Sequence, residues 1–400
     1  MRAPALAFSP GSIILGFLFL LNIILAAPAC ARLVTDMRGK QISLPDKLTR
    51  VATIDDGFVE GVMTHLGVID AVDMIGSWSM KRDYAYAFET ETGENWQLRG
   101  WNTMKFLHPW LNDRVCVNSP QGNVISFEAL AAGNPEAVIL RLGDCTVGAG
   151  NREAASKTMD TIEALGLPLV VIHAPTWFRS SDLSSMKEEG RIIGAMFGME
   201  DKAAALMDKL ASTEQLIRER TRDIPDAEKP RVLYMGLNPD IRKQGGAGTA
   251  HGVDTPESYI IESVAGAKNA FTGTGSGVPM SAEQMYALDP DVILLPTSNG
   301  YHPPRELMEA PYFKNLRELR AVREKKVYAM PWSPMNCARR VEYPLDMLII
   351  AKASYPERFR DINVYDFALN FYREIYGVND ETARALRSHQ LLDWMKDIDF

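Results

Sequence analysis

Glu128-Ala-Leu-Ala-Ala-Gly-Asn-Pro135-Glu-Ala-Val-Ile-Leu140 returns about 155 residues later as Glu283-Gln-Met-Tyr-Ala-Leu-Asp-Pro290-Asp-Val-Ile-Leu-Leu295. Each copy reads as a short helix, a turn at Asn/Asp-Pro-acidic, and an apolar β-branched run of the kind buried on both faces of a parallel sheet. Two lobes of like construction follow, so the fold class expected is α/β, with a cleft between paired parallel-sheet lobes. In open α/β sheets ligands bind beyond the carboxyl ends of the strands. Function is therefore sought just after Ile54, Leu140, Ile172, Met235, Leu295 and Met330.

Working outward, Val34 to Pro45 alternates around Gly39 as a small hairpin would, and Arg50-Val-Ala-Thr-Ile54 reads as the first core strand, followed by the loop Asp55-Asp56-Gly57. Residues 78–122 are rich in Trp, Tyr, Asn and Gly without clear period and read as an irregular cleft wall. From Leu183 to Arg222 apolar residues recur at helical spacing, with a break expected at Gly198, which implies a long helical connector. Arg231-Val-Leu-Tyr-Met235 then restarts the strand-helix alternation, and a helical region from about Pro344 to Met395 closes the chain. The organisation expected is a signal over 1–31, an N-terminal lobe over 32–180, a linking helix over 181–225, and a C-terminal lobe with helical extension over 226–400.

Ile13 to Ala27 form an apolar stretch too short for a comfortable membrane span, and Ala29-Cys30-Ala31 satisfies the small-residue cleavage rule, so export to the periplasm is expected. A lipid anchor at Cys30 is disfavoured by Ala27 and Pro28 before it. The chain of 400 residues is 46% hydrophobic and carries a net charge of -8, which gives a nucleic-acid or anionic-membrane partner no electrostatic support. Beyond Cys30, Cys116 and Cys145 could pair and Cys337 would then be a lone thiol; small buried thiols are the alternative.

The pattern resembles one family, the periplasmic substrate-binding proteins of ABC importers for ferric siderophores, haem and cobalamin. Its carriers are Val34-Thr-Asp-x-x-Gly39-x-x-Ile42-x-Leu44-Pro45, the two Pro-acidic strand entries, Leu165-Gly-Leu-Pro168, Ser258-Tyr-Ile-Ile-Glu262-Ser-Val-Ala-Gly266-Ala-Lys-Asn269, Ser281-Ala-Glu-Gln284 and Lys326-Val327-Tyr328. The resemblance implies Rossmann-like lobes joined by one rigid helix, with little hinge motion. It also implies an ABC permease and its ATPase as partners, and a glutamate on each lobe that docks on the permease, here matched by Glu128 and Glu262. A monomer is expected, with no cofactor and no chemistry performed on the ligand.

Ligand recognition calls for donors, aromatics and metal ligands at strand ends. Arg339 and Arg340 would suit an anionic chelate through bidentate hydrogen bonds, and Tyr343 could stack or ligate ferric iron through its phenolate. Arg141 stands after the first repeat's strand, with a salt bridge to Asp144 as its alternative. Trp78, Trp332 and Trp177 could contribute an aromatic wall, and Asn238 follows the strand that opens the second lobe. The six histidines show no close pair at metal-ligand spacing, which argues against a bare zinc or manganese site; His251 and His302 are single candidates, while His65 and His173 are expected to pack inside. The Gly-rich stretches 245–248 and 273–277 lack a following Gly-Lys-Ser/Thr, so they read as rim loops rather than phosphate cradles.

The reading that gathers these observations is a periplasmic solute-binding protein for an iron(III) chelate or related metal complex. The rivals are a binding protein for a small oxoanion such as molybdate, enclosed by Arg339, Arg340 and Arg141, and a secreted metal-dependent enzyme built on His251 or His302. A cleft narrowed by the 78–122 segment would favour the oxoanion.

Overall fold

The computed structural model describes residues 31–77, 80–81, 84–100, 102–118, 124–143, 147, 151–178, 182–296, 303–331 and 340–400. A five-stranded parallel sheet forms the N-terminal lobe from β3 (Val51–Ile54), β4 (Val72–Ile75), β7 (Val115–Cys116), β8 (Ala137–Leu142) and β9 (Leu169–His173), in the order β7-β4-β3-β8-β9. Before it, β1 (Ala31–Thr35) and β2 (Gln41–Pro45) pair antiparallel around Gly39, which takes the left-handed conformation the turn requires. The second sheet is built on β10 (Arg231–Gly236), which pairs parallel with β12 (Lys268–Asn269) and with β14 (Val292–Leu295), and β14 with β15 (Val327–Ala329). Its other edge is antiparallel: β11 (Gly248–Ala250) runs back along β10 and pairs with β13 (Val278–Met280).

Both repeat copies close in the same way. Ser126 and Ser281 cap the helices Phe127–Gly133 and Ala282–Leu288 by accepting from Ala129 N and Gln284 N. Asn134 and Asp289 end them in the left-handed region, with φ of 43° and 38°. Glu136 then accepts from Thr49 N and Arg50 N, and Asp291 accepts from Arg231 N, so each acid pins the start of its strand to the start of the neighbouring one.

The helical connector is two helices, Ser185–Phe197 and Glu200–Thr221, separated at Gly198 in the left-handed conformation. They run along one face of both sheets. Val51, Ile139 and Val170 from the first sheet, Ile193, Leu206 and Ile217 from the connector, and Val232, Tyr234 and Leu294 from the second sheet belong to one continuous apolar core. The opposite faces bury separately, Ile54, Val138 and Leu140 in one cluster and Leu233, Ile293 and Leu295 in another. Because strands in each sheet are covered on both faces, they read as unbroken apolar runs. The helix Val364–Tyr376 reaches back to the first lobe, where His65 Nδ1 lies 2.8 Å from the Ile375 carbonyl oxygen.

One expectation changes. The segment read as an irregular cleft wall contains a hairpin of β5 (Tyr84–Glu89) and β6 (Asn95–Gly100). Although it leaves the chain between two strands of the first sheet, it docks on the second lobe. Phe88 enters that lobe's core, with Tyr86, Trp96 and Leu98 packed beside it. Arg305 and Arg317 hold Glu94 and Glu91 at 2.7 and 2.6 Å, and Arg305 lies over the Trp96 ring. The stretch around 245–248, read as a rim loop, lies between the helix Pro239–Lys243 and β11, which takes in Gly248.

Candidate functional site

The loop Asp55-Asp56-Gly57 follows β3 at the carboxyl edge of the first sheet. Gly57 has a φ of 110° and a Cβ there would stand 3.0 Å from Arg340 Nε, so both backbone and space require glycine. It opens the helix Phe58–Leu66, whose first amides are held by Asp55 Oδ2, accepting from Gly57 N and Val59 N at 3.1 and 2.7 Å. Arg340 crosses from the C-terminal half of the chain. Its Nε donates to the Asp56 carbonyl oxygen at 2.5 Å and Nη2 to Asp56 Oδ2 at 2.9 Å, while Ser77 Oγ donates to Oδ1 at 2.7 Å. Arg340 and Asp56, 4% and 1% exposed, thus form a buried ion pair between the C-terminal half of the chain and the loop after β3.

A second buried pair lies beside it. Arg141, expected at the cleft edge or, alternatively, in a salt bridge to Asp144, sits within β8, which runs two residues past Leu140, and is 1% exposed. Its Nε and Nη2 donate to Glu189 of the connector at 2.5 and 3.2 Å, Nη1 reaches Asp55 Oδ1 at 3.4 Å, and its guanidinium covers the Phe58 ring. Asp144 lies outside the described residues. Burial raises the Glu189 carboxyl to about 7 against the pull of Arg141. Glu60, fully buried and accepting from Thr53 Oγ1, is pushed up to about 8 by burial first and by the Asp55 charge second. At neutral pH Glu60 therefore holds its proton, and the two guanidiniums are balanced inside the protein.

Two further groups of side chains lie at strand ends. Beyond β9, the His173 ring stacks on Trp177 at 5.3 Å and meets the edge of Phe178, while Arg152 covers Trp177 at 4.4 Å. Burial holds the His173 imidazole down to about 4, so it is neutral and apolar in character at pH 7. Phe178 is 40% exposed, which leaves this aromatic edge open to a solute. Beyond β10, Asn238 accepts from Asp240 N and caps the helix that carries Arg242. Arg242 lies 3.8 Å over the Tyr312 ring, and the buried carboxylate of Glu306 accepts from Tyr312 and from Tyr86 of the hairpin.

Other sequence candidates fall elsewhere. His251 is level with Tyr234, behind the carboxyl edge, because β11 runs antiparallel; its Nδ1 faces Glu257 at 3.5 Å and Ser276 at 3.2 Å. Tyr343 is 6% exposed on the helix Tyr343–Ser354, where burial, then Glu214 and Tyr259, push its hydroxyl pKa up. Trp78, Trp332, Arg339, His302, Cys145 and Cys337 lie outside the described residues; Cys116 is a free thiol. Glu128 and Glu262 are both exposed, and Glu262 accepts from Ser258 Oγ and Asn269 N. By the repeat, the place of Glu128 in the second lobe belongs to Glu283, also exposed and also second in its helix. The repeat itself carried that signal.

Residues 102–334 match the sequence profile described as periplasmic binding protein. The molybdate-binding protein MolA of Haemophilus influenzae is 21% identical over 377 residues, covering 89% of this chain and 94% of that protein. Among solved structures, a periplasmic solute binding protein from Veillonella parvula superposes with a TM-score of 0.70 at 21% identity, over 92% of this chain and 100% of that one. The Helicobacter pylori CeuE complex with nickel and histidine superposes at 0.59 and 18% identity, over 89% and 98%. These likenesses establish the two-lobed fold.

Proposed function

This chain belongs to the periplasmic binding protein family, whose members serve ABC importers rather than catalyse reactions, and from that premise we propose that it captures an iron(III) chelate or related metal complex between its lobes. The observation that carries this reading is the internal neutralisation of Arg141 and Arg340. A small oxoanion clamped by arginines needs guanidiniums left uncommitted, whereas two of the three candidates, Arg141 and Arg340, are engaged by Glu189, Asp55 and Asp56, and Arg339 lies outside the described residues. The exposed aromatic edge of Phe178 beside His173 and Trp177 suits a larger complex. The protein acts as a monomer after removal of residues 1–31. It presents the solute through Glu128 and its repeat partner Glu283, with Glu262 as the alternative acid.

A second reading, an oxoanion, draws on one observation of this chain. The hairpin Tyr84–Gly100, part of the segment whose narrowing of the cleft would favour a small anion, packs on the second lobe, and MolA is named for molybdate. A thermal-shift panel separates the two. A solute at about 100 times its dissociation constant stabilises by roughly 2.7 kcal/mol. Ferric chelates are expected to raise the midpoint while molybdate leaves it unmoved; the reverse result replaces the first reading with the second.

A further inference from the structure

A cavity of about 680 Å³ opens where three parts of the chain meet, and none of Asp55, Asp56 and Arg340 lines it. Trp96 and Leu98 of β6 form one wall, Met308 and Val327 of the second lobe another, and Trp394 and Ile398 near the chain's end the third. Val327 begins β15, the last strand on its side of the second sheet, and Lys325 precedes it. The cavity therefore sits at the amino end of that strand, not at the carboxyl edge. Its volume and largely apolar walls are those of a small-molecule site.

Three features of the lining bear on what it holds. The indole Nε1 atoms of Trp96 and Trp394 are buried without a hydrogen-bond acceptor, and a buried donor left unpaired is costly. Lys325 and Leu391, both on the lining, have φ of 59° and 55°, a conformation that residues with side chains rarely adopt and that gathers at ligand sites. Charge of both signs is also uncommitted. Lys325, Lys396 and Asp397 have no ion-pair partner among the described residues, whereas Arg305 is held by Glu94 and Glu309, and Asp393 accepts from Tyr365 and Ser388.

We propose that this cavity is a second binding site, for a short zwitterionic peptide with aromatic side chains. The aromatic rings pack against Trp96 and Trp394, the terminal carboxylate meets Lys325 and Lys396, and the terminal ammonium meets Asp397. The peptide's oxygens supply the acceptors that the two indoles lack. This site stands whether the cleft takes a chelate or an oxoanion.

The test is calorimetric titration of the chain with L-phenylalanyl-L-phenylalanine, beside its N-acetyl and C-terminal amide forms, each of which removes one terminal charge. The free dipeptide is expected to bind to a 1:1 endpoint, and each capped form about tenfold more weakly. Met308→Trp, which fills the cavity, should abolish binding. Lys325→Glu with Lys396→Glu, both at exposed positions, should weaken it by about tenfold or more. Circular dichroism and the melting midpoint verify that each variant is folded, and should Met308→Trp fail to fold, the lysine pair decides. No saturable binding of the dipeptide overturns the proposal. Equal binding of the free and capped forms, or binding unchanged in the folded variants, overturns it as well.

Discussion

The two repeat copies build the same backbone and end differently. In both, a serine caps the helix, an Asn or Asp at positive φ turns the chain, a proline and an acid follow, and the strand plunges into a core covered on both faces. One residue past Leu140 and Leu295 they part: the first copy has Arg141, buried against Glu189 and Asp55, and the second has Pro296. The shared part is what a parallel strand entry demands. The divergent part is where the first lobe ties the loop after β3 to the connector, through Arg141 between Asp55 and Glu189, and the lesson is that in a duplicated fold the departures from the repeat mark what each lobe does.

The largest effect should come from breaking that departure. Arg141→Met leaves buried carboxylates without their cation, an expected loss of about 3–5 kcal/mol in denaturant unfolding; adding Glu189→Met should recover much of it. Equivalent truncations in the shared part, Leu140→Ala and Leu295→Ala, should each cost about 2–5 kcal/mol and resemble one another, since both leucines are buried. Unequal losses would show that the copies differ in packing as well as in charge.

A pH series sharpens the same contrast. The folded chain keeps the Glu60 proton that the unfolded chain releases near 4.5. Its contribution is therefore fully present below 4.5 and falls as pH rises toward 8, by at most about 1.4 kcal/mol per unit. Glu60→Gln should flatten that slope in melts between pH 5 and 8. The smallest effect is expected at the turns. Asn134→Gly and Asp289→Gly remove the strain of positive φ, so each should shift stability by less than about 1 kcal/mol and by similar amounts.

Much of the fold was legible because its signals are local. The Pro-acidic entries, the helical period over 183–222 and the break at Gly198 are each contained within a few turns of chain. The site was less so. Arg340 and Asp56 are 284 residues apart, and Arg141 and Glu189 are 48 apart, so no window shows either pair. The alternation of Tyr86 and Phe88, answered by Trp96 and Leu98, was a readable strand signal hidden in an aromatic-rich segment; that the hairpin would dock on the other lobe was not. His251 misled because the Gly-rich stretch before it begins an antiparallel strand, which turns the residue away from the cleft edge.

The central claim is that the cleft takes an iron(III) complex, and calorimetric titration of the chain from Arg32 onward with ferric chelates and with molybdate tests it most directly. Saturable 1:1 binding of a ferric chelate, unaffected by excess molybdate, is the predicted result. Tight molybdate binding with no heat from any ferric complex would contradict it.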